Sequence, residues 1–354
     1  MSRPAEPGVY LKEIIGIAFV SVGAFKAQAD PVKLTYSCFF PPTHIQSKLA
    51  EAWCKEVEKR TGGQVQISYY PGQTLTKAAQ CYDGVVEGLS DIGFSILQYT
   101  PGRFPLMDVI NLPIGVPSGE VATAIINEVN DKFQPKELSD TKVMYLHSHG
   151  PGFIHTKDKP ILKMEDLKGI KIRSHGPTAE MIKCLGGTPV ALPMPELYQS
   201  LQKGVVQGGV FPLESNKGWR LAEVTHYVSA CFSTGYGLAF FVVMNKDKWE
   251  KLPADVKKTI EEINQEWIIK HGQAWDDSDF KGVQFLLEKG NTLNGIGPKG
   301  AERRQKAVQP VIDGYEKDVS AKGLPGREVL DFVNQRLNDA ARGKFTSKYI
   351  AGGK

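Results

Sequence analysis

The stretch Gly169-Ile-Lys-Ile-Arg-Ser-His-Gly-Pro177 decides how the rest of the chain is read. Ile170 and Ile172 mark a short buried strand, Arg173 takes its last position, and Gly176-Pro177 breaks the chain at once. A guanidinium stays charged at any working pH, and burying it without a partner is expensive. Its partner is therefore a carboxylate, supplied either by the protein or by a ligand. Pro177 suits the first turn of a helix, which the pattern extends to Leu185 before Gly186-Gly187 ends it. Another strand follows over 188–192. Strand, helix, strand with tight glycine punctuation is the unit of a parallel α/β layer.

The same unit recurs on both sides. Toward the N-terminus a strand over 34–38 closes at Phe39-Phe40-Pro41-Pro42, because proline donates nothing to a ladder. Thr43 and Gln46 then fit a capping box, and Ile45, Leu49, Ala52, Trp53 and Val57 recur at helical spacing until Thr61-Gly62-Gly63. A strand over 65–70, a helix over 75–88 and a buried strand over 91–96 complete a first unit. The second comprises a strand over 143–146, a polar Gly-rich turn, the opening stretch, a helix over 196–203 and a strand over 205–211. Two such units predict two lobes. Beyond them lie a continuous apolar strand over 237–244, a helix over 255–289 long enough to run across both lobes, and an amphipathic helical region over 301–341, expected to form an outer layer on the second lobe.

The chain has 354 residues and a formal net charge of only +4. No Lys/Arg block interleaved with aromatics occurs, so nucleic acid is excluded as a partner. Residues 1–29 read as a signal peptide: Arg3 and Lys12 precede the apolar run Ile14 to Phe25, and Ala27 and Ala29 supply the small residues for cleavage after Ala29. A buried N-terminal helix is the alternative. Export to an oxidising compartment, the periplasm of a Gram-negative cell, follows from the first reading. The five cysteines, Cys38, Cys54, Cys81, Cys184 and Cys231, form no CxxC pair. A bridge among the first three is left open.

Chemistry-bearing patterns are few. There is no G-x-S-x-G elbow, no phosphate-cradling G-x-x-x-x-G-K and no G-x-G-x-x-G after a strand. His147, His149 and His155 are the one candidate metal group, with solvated or cleft-lining histidines as the alternatives. Glu165 and Asp166 suit the start of a short surface helix. Glu214, just past the strand ending at Phe211, is a candidate internal partner for Arg173. Phe39, Phe40, Tyr99, Phe153, Phe211 and Tyr236 sit at strand ends or in the turns after them, where open α/β sheets hold ligands. Together they predict an aromatic-lined pocket, with His44, Gln98, His149 and His175 as polar contacts.

Asp166-Leu-Lys-Gly-Ile-Lys-Ile-Arg173, Ala179-Glu-Met-Ile-Lys-Cys-Leu-Gly-Gly-Thr-Pro-Val190, Met194-Pro-Glu-Leu-Tyr-Gln-Ser-Leu-Gln-Lys-Gly-Val-Val-Gln-Gly208 and Pro212-Leu-Glu214 strongly resemble the solute-binding subunits of TRAP (tripartite ATP-independent periplasmic) transporters, the DctP-like family. Tyr70-Pro-Gly, Gly102-Arg-Phe-Pro and Val242-Val-Met-Asn-Lys-Asp-Lys-Trp-Glu-Lys-Leu-Pro253 resemble that family too. The resemblance implies a two-lobed α/β periplasmic-binding-protein fold, each lobe a mostly parallel sheet flanked by helices. Lobe I would take 30–153 with about 240–270, and lobe II 154–239 with about 271–354, joined by hinge strands and one long helix. It also implies that Arg173 pairs bidentately with a substrate carboxylate, that the lobes close over an organic acid, and that membrane subunits driven by an ion gradient are the partners. No catalysis and no cofactor are implied, and the protein is expected to act as a monomer.

Two departures narrow the ligand. Many relatives carry a second arginine in the turn that is here Gly150-Pro-Gly-Phe-Ile-His155, and an asparagine before the Pro-Leu that here follows Phe211. Losing a cation and an amide, with Phe153 and Phe211 in or near their places, favours a monocarboxylate with an aromatic or apolar body. The rivals are a small polar acid such as a 2-oxo acid or sulfonate, a sensor subunit for the same ligand, and an exported metal-dependent enzyme.

Overall fold

A computed structural model describes residues 30–353; the signal peptide expected over 1–29 lies outside the described residues. β1 (Val32–Cys38) ends where expected, and α1 (Ile45–Arg60) starts after the double proline. Its cap is His44 rather than Thr43: the ring Nδ1 accepts the Gln46 N–H at 3.2 Å. β2 (Val65–Tyr70) pairs parallel to β1. The helix expected over 75–88 shrinks to α2 (Cys81–Val86), followed by the fully buried β3 (Ile92–Ile96), α3 (Gly119–Phe133) and β4 (Thr141–His147).

From β4 the chain enters a second layer. β5 (Gly152–Thr156), β6 (Lys171–Arg173), α4 (Pro177–Cys184), β7 (Thr188–Val190), α5 (Met194–Gln202), β8 (Gly208–Pro212), α6 (Ser215–Gly218) and β9 (Tyr227–Ala230) follow in order. β10 (Phe240–Asn245), α7 (Lys246–Glu250), α8 (Ala254–Glu288), β11 (Thr292–Gly295), α9 (Pro298–Ala321) and α10 (Gly326–Ala341) complete the described chain. The first sheet has the order β2-β1-β3-β10-β4 and the second β11-β9-β5-β8-β6-β7. Each is parallel except for one inserted strand: β10 runs against β3 and β4, and β5 against β8 and β9.

Those inserted strands link the two sheets, one to each lobe. Residues 148–151 carry the chain from β4 in one sheet to β5 in the other, and 231–239 carry it back from β9 to β10. The two crossings lie side by side, with the Gly152 N–H donating to the Tyr236 carbonyl at 2.9 Å. A Cβ on Gly152 would sit 2.2 Å from the Tyr236 ring, so only glycine permits this approach. Sequence reasoning took the β5 region for a turn. Gly150-Pro151-Gly152 hides its start, and its pairing partners lie more than fifty residues away.

α8 is the third connection. It packs on α1, α3 and β4 and also on α6 and β11. Asp276 caps α3 by accepting the Gly119 and Glu120 N–H groups, and Asp279 accepts the Glu214 N–H at 2.7 Å. The C-terminal helices divide, contrary to the expected single layer on the second lobe. α9 packs on α4, whereas α10 packs on α3 beside the first sheet, because Leu324-Pro325-Gly326 turns the chain between them. All five cysteines are free. Burial pushes the Cys38 thiol up to about 12 and the Cys81 thiol up to about 11, so both persist as small apolar groups.

Candidate functional site

β6 lies between β8 and β7, and Arg173 is its last residue, 2% exposed. Its Nε donates to the Leu192 carbonyl (3.0 Å), Nη1 to the Val210 carbonyl (3.3 Å) and Nη2 to the Tyr99 hydroxyl (3.4 Å). Every acceptor is neutral. No carboxylate pairs with Arg173 among the described residues. A guanidinium has five N–H donors; three are used here, which leaves one on each terminal nitrogen for a carboxylate to accept. Tyr99, in the turn after β3, accepts from both Arg173 and the Met194 N–H (2.9 Å), so its own O–H remains to donate. Burial pushes its pKa up against the opposing pull of Arg173, which keeps that proton in place.

Arg173 lines a cavity whose empty space, open solvent included, is about 330 Å³. Rings form most of its wall. Phe39 and Phe40 lie 4.1 Å apart, Trp219 stacks at 6.0 Å on Phe39, and Trp275 packs 5.0 Å from Phe240. Tyr99, Phe211, Tyr236, Met194 and Leu238 complete the apolar surface. Lobe I supplies Phe39, Phe40 and Tyr99 from strand ends, lobe II supplies Arg173, Phe211 and Trp219, and the crossings and α8 supply Tyr236, His149 and Trp275. An adjoining groove shares Phe39, Glu214 and Trp219 with the cavity and is flanked by the exposed Lys48, Lys217, Arg220 and Lys281.

Glu214 corrects an expectation. It lines the cavity but does not reach Arg173; its carboxylate accepts from Ser215 Oγ at 2.7 Å and meets His44 Nε2 at 3.0 Å. Because His44 Nδ1 already accepts the Gln46 N–H, the ring proton sits on Nε2 and points at Glu214. This bond ties the first turn of α1 to the turn after β8, one side from each sheet. The reason Glu214 goes there is α8: Gly282 lets the Leu213 carbonyl approach, where a Cβ would lie 2.1 Å away, and Asp279 fixes the Glu214 backbone.

Three other expected contacts also lie elsewhere. Phe153 faces a separate cluster with Ala222, Val228, Ala230 and Leu286, where β9 and α8 cover it, although it pairs in register with Phe211. Gln98 does not line the cavity: its amide N–H donates to Asp108 (3.0 Å) and its carbonyl accepts the Ala239 N–H (3.2 Å). His175 packs edge-on against Tyr99 and does not line the cavity. His149 does line it.

The histidines do not assemble as metal ligands. His147 stacks between His271 and Phe240 and accepts the Trp275 indole N–H at 2.9 Å. His155 stacks 3.8 Å from Phe211 and its Nε2 donates to the Phe211 carbonyl. No cluster of three or more His, Cys, Asp or Glu suited to a metal exists among the described residues. Trp219, Phe240 and Trp275 were missed as site residues. Phe240 and Trp275 read as core because their periodicity is that of a buried strand and helix, and α6 gives Trp219 no pattern at all.

Two α/β lobes meeting over a small cavity, with an unpaired arginine in its wall, are the features of a binding protein for an organic anion. The chain belongs to the DctP family, bacterial extracellular solute-binding protein family 7, whose model matches residues 36–318. A TRAP solute-binding protein from Rhodoferax ferrireducens, solved with copurified benzoate, is 30% identical with a TM-score of 0.83, covering 88% of this chain and 99% of that one. A marine-metagenome TRAP solute-binding protein described as specific for aromatic acid ligands, solved with 3-hydroxybenzoate, is 30% identical with a TM-score of 0.81, covering 86% and 97%. The C4-dicarboxylate-binding periplasmic protein of Rhodobacter capsulatus is 26% identical over 322 residues, 89% of this chain and 96% of that one. These relatives are solute-binding proteins, and this chain is likewise a TRAP solute-binding protein for an organic acid rather than an enzyme. The family is extracytoplasmic, and no described helix is long and apolar enough to cross a membrane.

Proposed function

We propose that this protein captures a monocarboxylate with an aromatic or apolar body in the periplasm and delivers it to TRAP membrane subunits. Arg173 and Tyr99 hold the carboxylate, and the rings of Phe39, Phe40, Phe211 and Trp219 hold the body. One observation carries the reading: Arg173 is buried, keeps one N–H on each terminal nitrogen uncommitted, and has no carboxylate partner among the described residues. Among the described residues lining the cavity it is also the one Lys or Arg, which suits one carboxylate and not two. The solved relatives with benzoate and 3-hydroxybenzoate support the same class. Each chain supplies a whole cavity, which suits action as a monomer. Export through the expected 1–29 leader accounts for the compartment.

A melting screen of the mature protein tests this reading. The panel contains benzoate, phenylacetate, cyclohexanecarboxylate, pyruvate, a short alkyl sulfonate and succinate. A ligand at a hundred times its Kd stabilises the folded state by about 2.7 kcal/mol. Benzoate, phenylacetate or cyclohexanecarboxylate is expected to raise the melting temperature. A shift with pyruvate, the sulfonate or succinate alone overturns the assignment.

A further inference from the structure

The cavity wall also holds a buried acceptor with no partner among the described residues. His149 belongs to the crossing between β4 and β5 and is 1% exposed. Its Nδ1 lies against the Gly150 carbonyl. A carbonyl only accepts, so Nδ1 carries the ring proton. Burial, the largest influence, lowers the pKa to about 4, and Arg173 pulls in the same direction while the Gly150 carbonyl and Glu214 oppose it. The ring is therefore neutral at pH 7, and Nε2 is a bare acceptor. That atom is buried without a protein partner, and the residue lines the cavity. Its other neighbours are the rings of Tyr236, Phe240 and Trp275 at 5.5 to 6.0 Å, which hold the imidazole in place.

The cavity wall thus has two chemically distinct stations. At Arg173 and Tyr99 it offers donors only, which suits an anionic oxygen. At His149 it offers an acceptor, and the Ser215 hydroxyl, whose proton is given to Glu214, offers another. A second carboxylate is the wrong partner for a lone pair; an O–H is the right one. We propose that His149 Nε2 accepts a hydrogen bond from a hydroxyl on the body of the ligand, so that the protein selects hydroxylated aromatic monocarboxylates over their unsubstituted parents. This rests on the aromatic-acid reading above and adds the substituent that reading leaves open. Because the acceptor is already buried without a partner, a ligand hydroxyl supplies a bond that the parent acid cannot, a difference that corresponds to about ten- to a hundredfold in affinity.

The test is calorimetric titration of the mature protein with benzoate, the three hydroxybenzoates and the three methoxybenzoates, repeated with His149→Phe. One hydroxy isomer is expected to bind at least about tenfold tighter than benzoate, and its methoxy counterpart, with the oxygen but no proton, to lose that advantage. His149→Phe is expected to abolish the preference, read as the ratio of hydroxybenzoate to benzoate affinity within the variant. Should the variant fail to fold, the hydroxy-against-methoxy comparison in the parent protein decides the matter alone. Benzoate binding with no hydroxy preference overturns the His149 assignment and leaves the aromatic-acid reading standing. Failure of every aromatic acid overturns both. Isophthalate binding that strengthens from pH 8 to pH 5 overturns the hydroxyl assignment, because it would show the ring taking a proton to meet a second carboxylate.

Discussion

Replacing Arg173 separates its two possible roles, as clamp for a ligand and as part of the fold. Arg173→Met keeps most of the length of the side chain and removes the charge. In the proposed clamp the two uncommitted N–H groups would each make a charge-assisted bond to a carboxylate, about 1.5–3 kcal/mol apiece. Breaking one side of a buried pair costs about 3–5 kcal/mol, which is two to nearly four orders of magnitude in Kd. Arg173→Lys retains the charge but loses the fork, and falls between, at roughly ten- to a hundredfold. Without ligand the balance differs. The methionine substitution would leave the Leu192 and Val210 carbonyls and the Tyr99 hydroxyl short of one donor each, about 1 kcal/mol apiece. Relief of the buried cation, worth several kcal/mol, offsets this. The ligand-free variant is therefore expected to melt within a few degrees of the parent. Calorimetry with the tightest acid of the screen, paired with melting of the free proteins, reads both effects. Binding by Arg173→Met within about threefold of the parent would refute the clamp.

The bond between His44 and Glu214 joins the lobes, so Glu214→Ala or His44→Ala is expected to raise the ligand off-rate about five- to a hundredfold; stopped-flow displacement measures it, and an unchanged off-rate excludes a closing role. Gly152→Ala would drive a methyl into the Tyr236 ring and is expected to cost about 1–3 kcal/mol or more in urea denaturation, an unaltered midpoint being the contrary result. Stability is also expected to fall from pH 6.5 toward pH 5. Burial lowers the pKa of His147, His149, His155, His175 and His271, to about 4 for His149 and about 3 for His155 and His271. Below 6.5 the unfolded chain therefore binds more protons than the fold, about 1.4 kcal/mol per pH unit for each histidine once fully engaged. Burial raises Asp108 to about 6 and Glu137 to about 7, and their contribution, full below pH 4, is lost as pH rises through those values. Burial raises Asp276 and Asp279 too, so four carboxylates oppose the five histidines and the net fall is smaller than the histidines alone would give; a rise in stability from pH 6.5 to 5 in chemical denaturation would contradict the assignment.

Much of this was present in the linear chain. Arg173 at the end of a three-residue strand, followed by Ser174-His-Gly-Pro, is a local arrangement, and the turn alone places the guanidinium at the carboxyl edge of a sheet. The 35 residues of α8 carry their own periodicity, so its extent was legible within one residue at either end. Phe39, Phe40, Tyr99, Phe211 and Tyr236 were recognisable because strand ends and the turns after them are where such sheets hold ligands.

What the chain by itself determined was therefore which residues stand at strand ends and that one of them carries a charge needing a partner. Which side chains meet across the cleft was decided only in three dimensions. Phe153 and Phe211 occupy equivalent sequence settings, yet the second lines the cavity and the first is covered by β9 and α8. Glu214 was free on paper to pair with Arg173, but α8 fixes its backbone through Asp279 and turns its carboxylate toward His44. The tautomers of His44 and His149 follow from the Gln46 N–H and the Gly150 carbonyl, contacts no spacing encodes. The physical reason is common to all of these. Strand and helix periodicity is a property of neighbours in sequence, whereas the crossing strands and α8 bring together groups up to 225 residues apart, and a buried polar atom takes its role from whichever partner arrives.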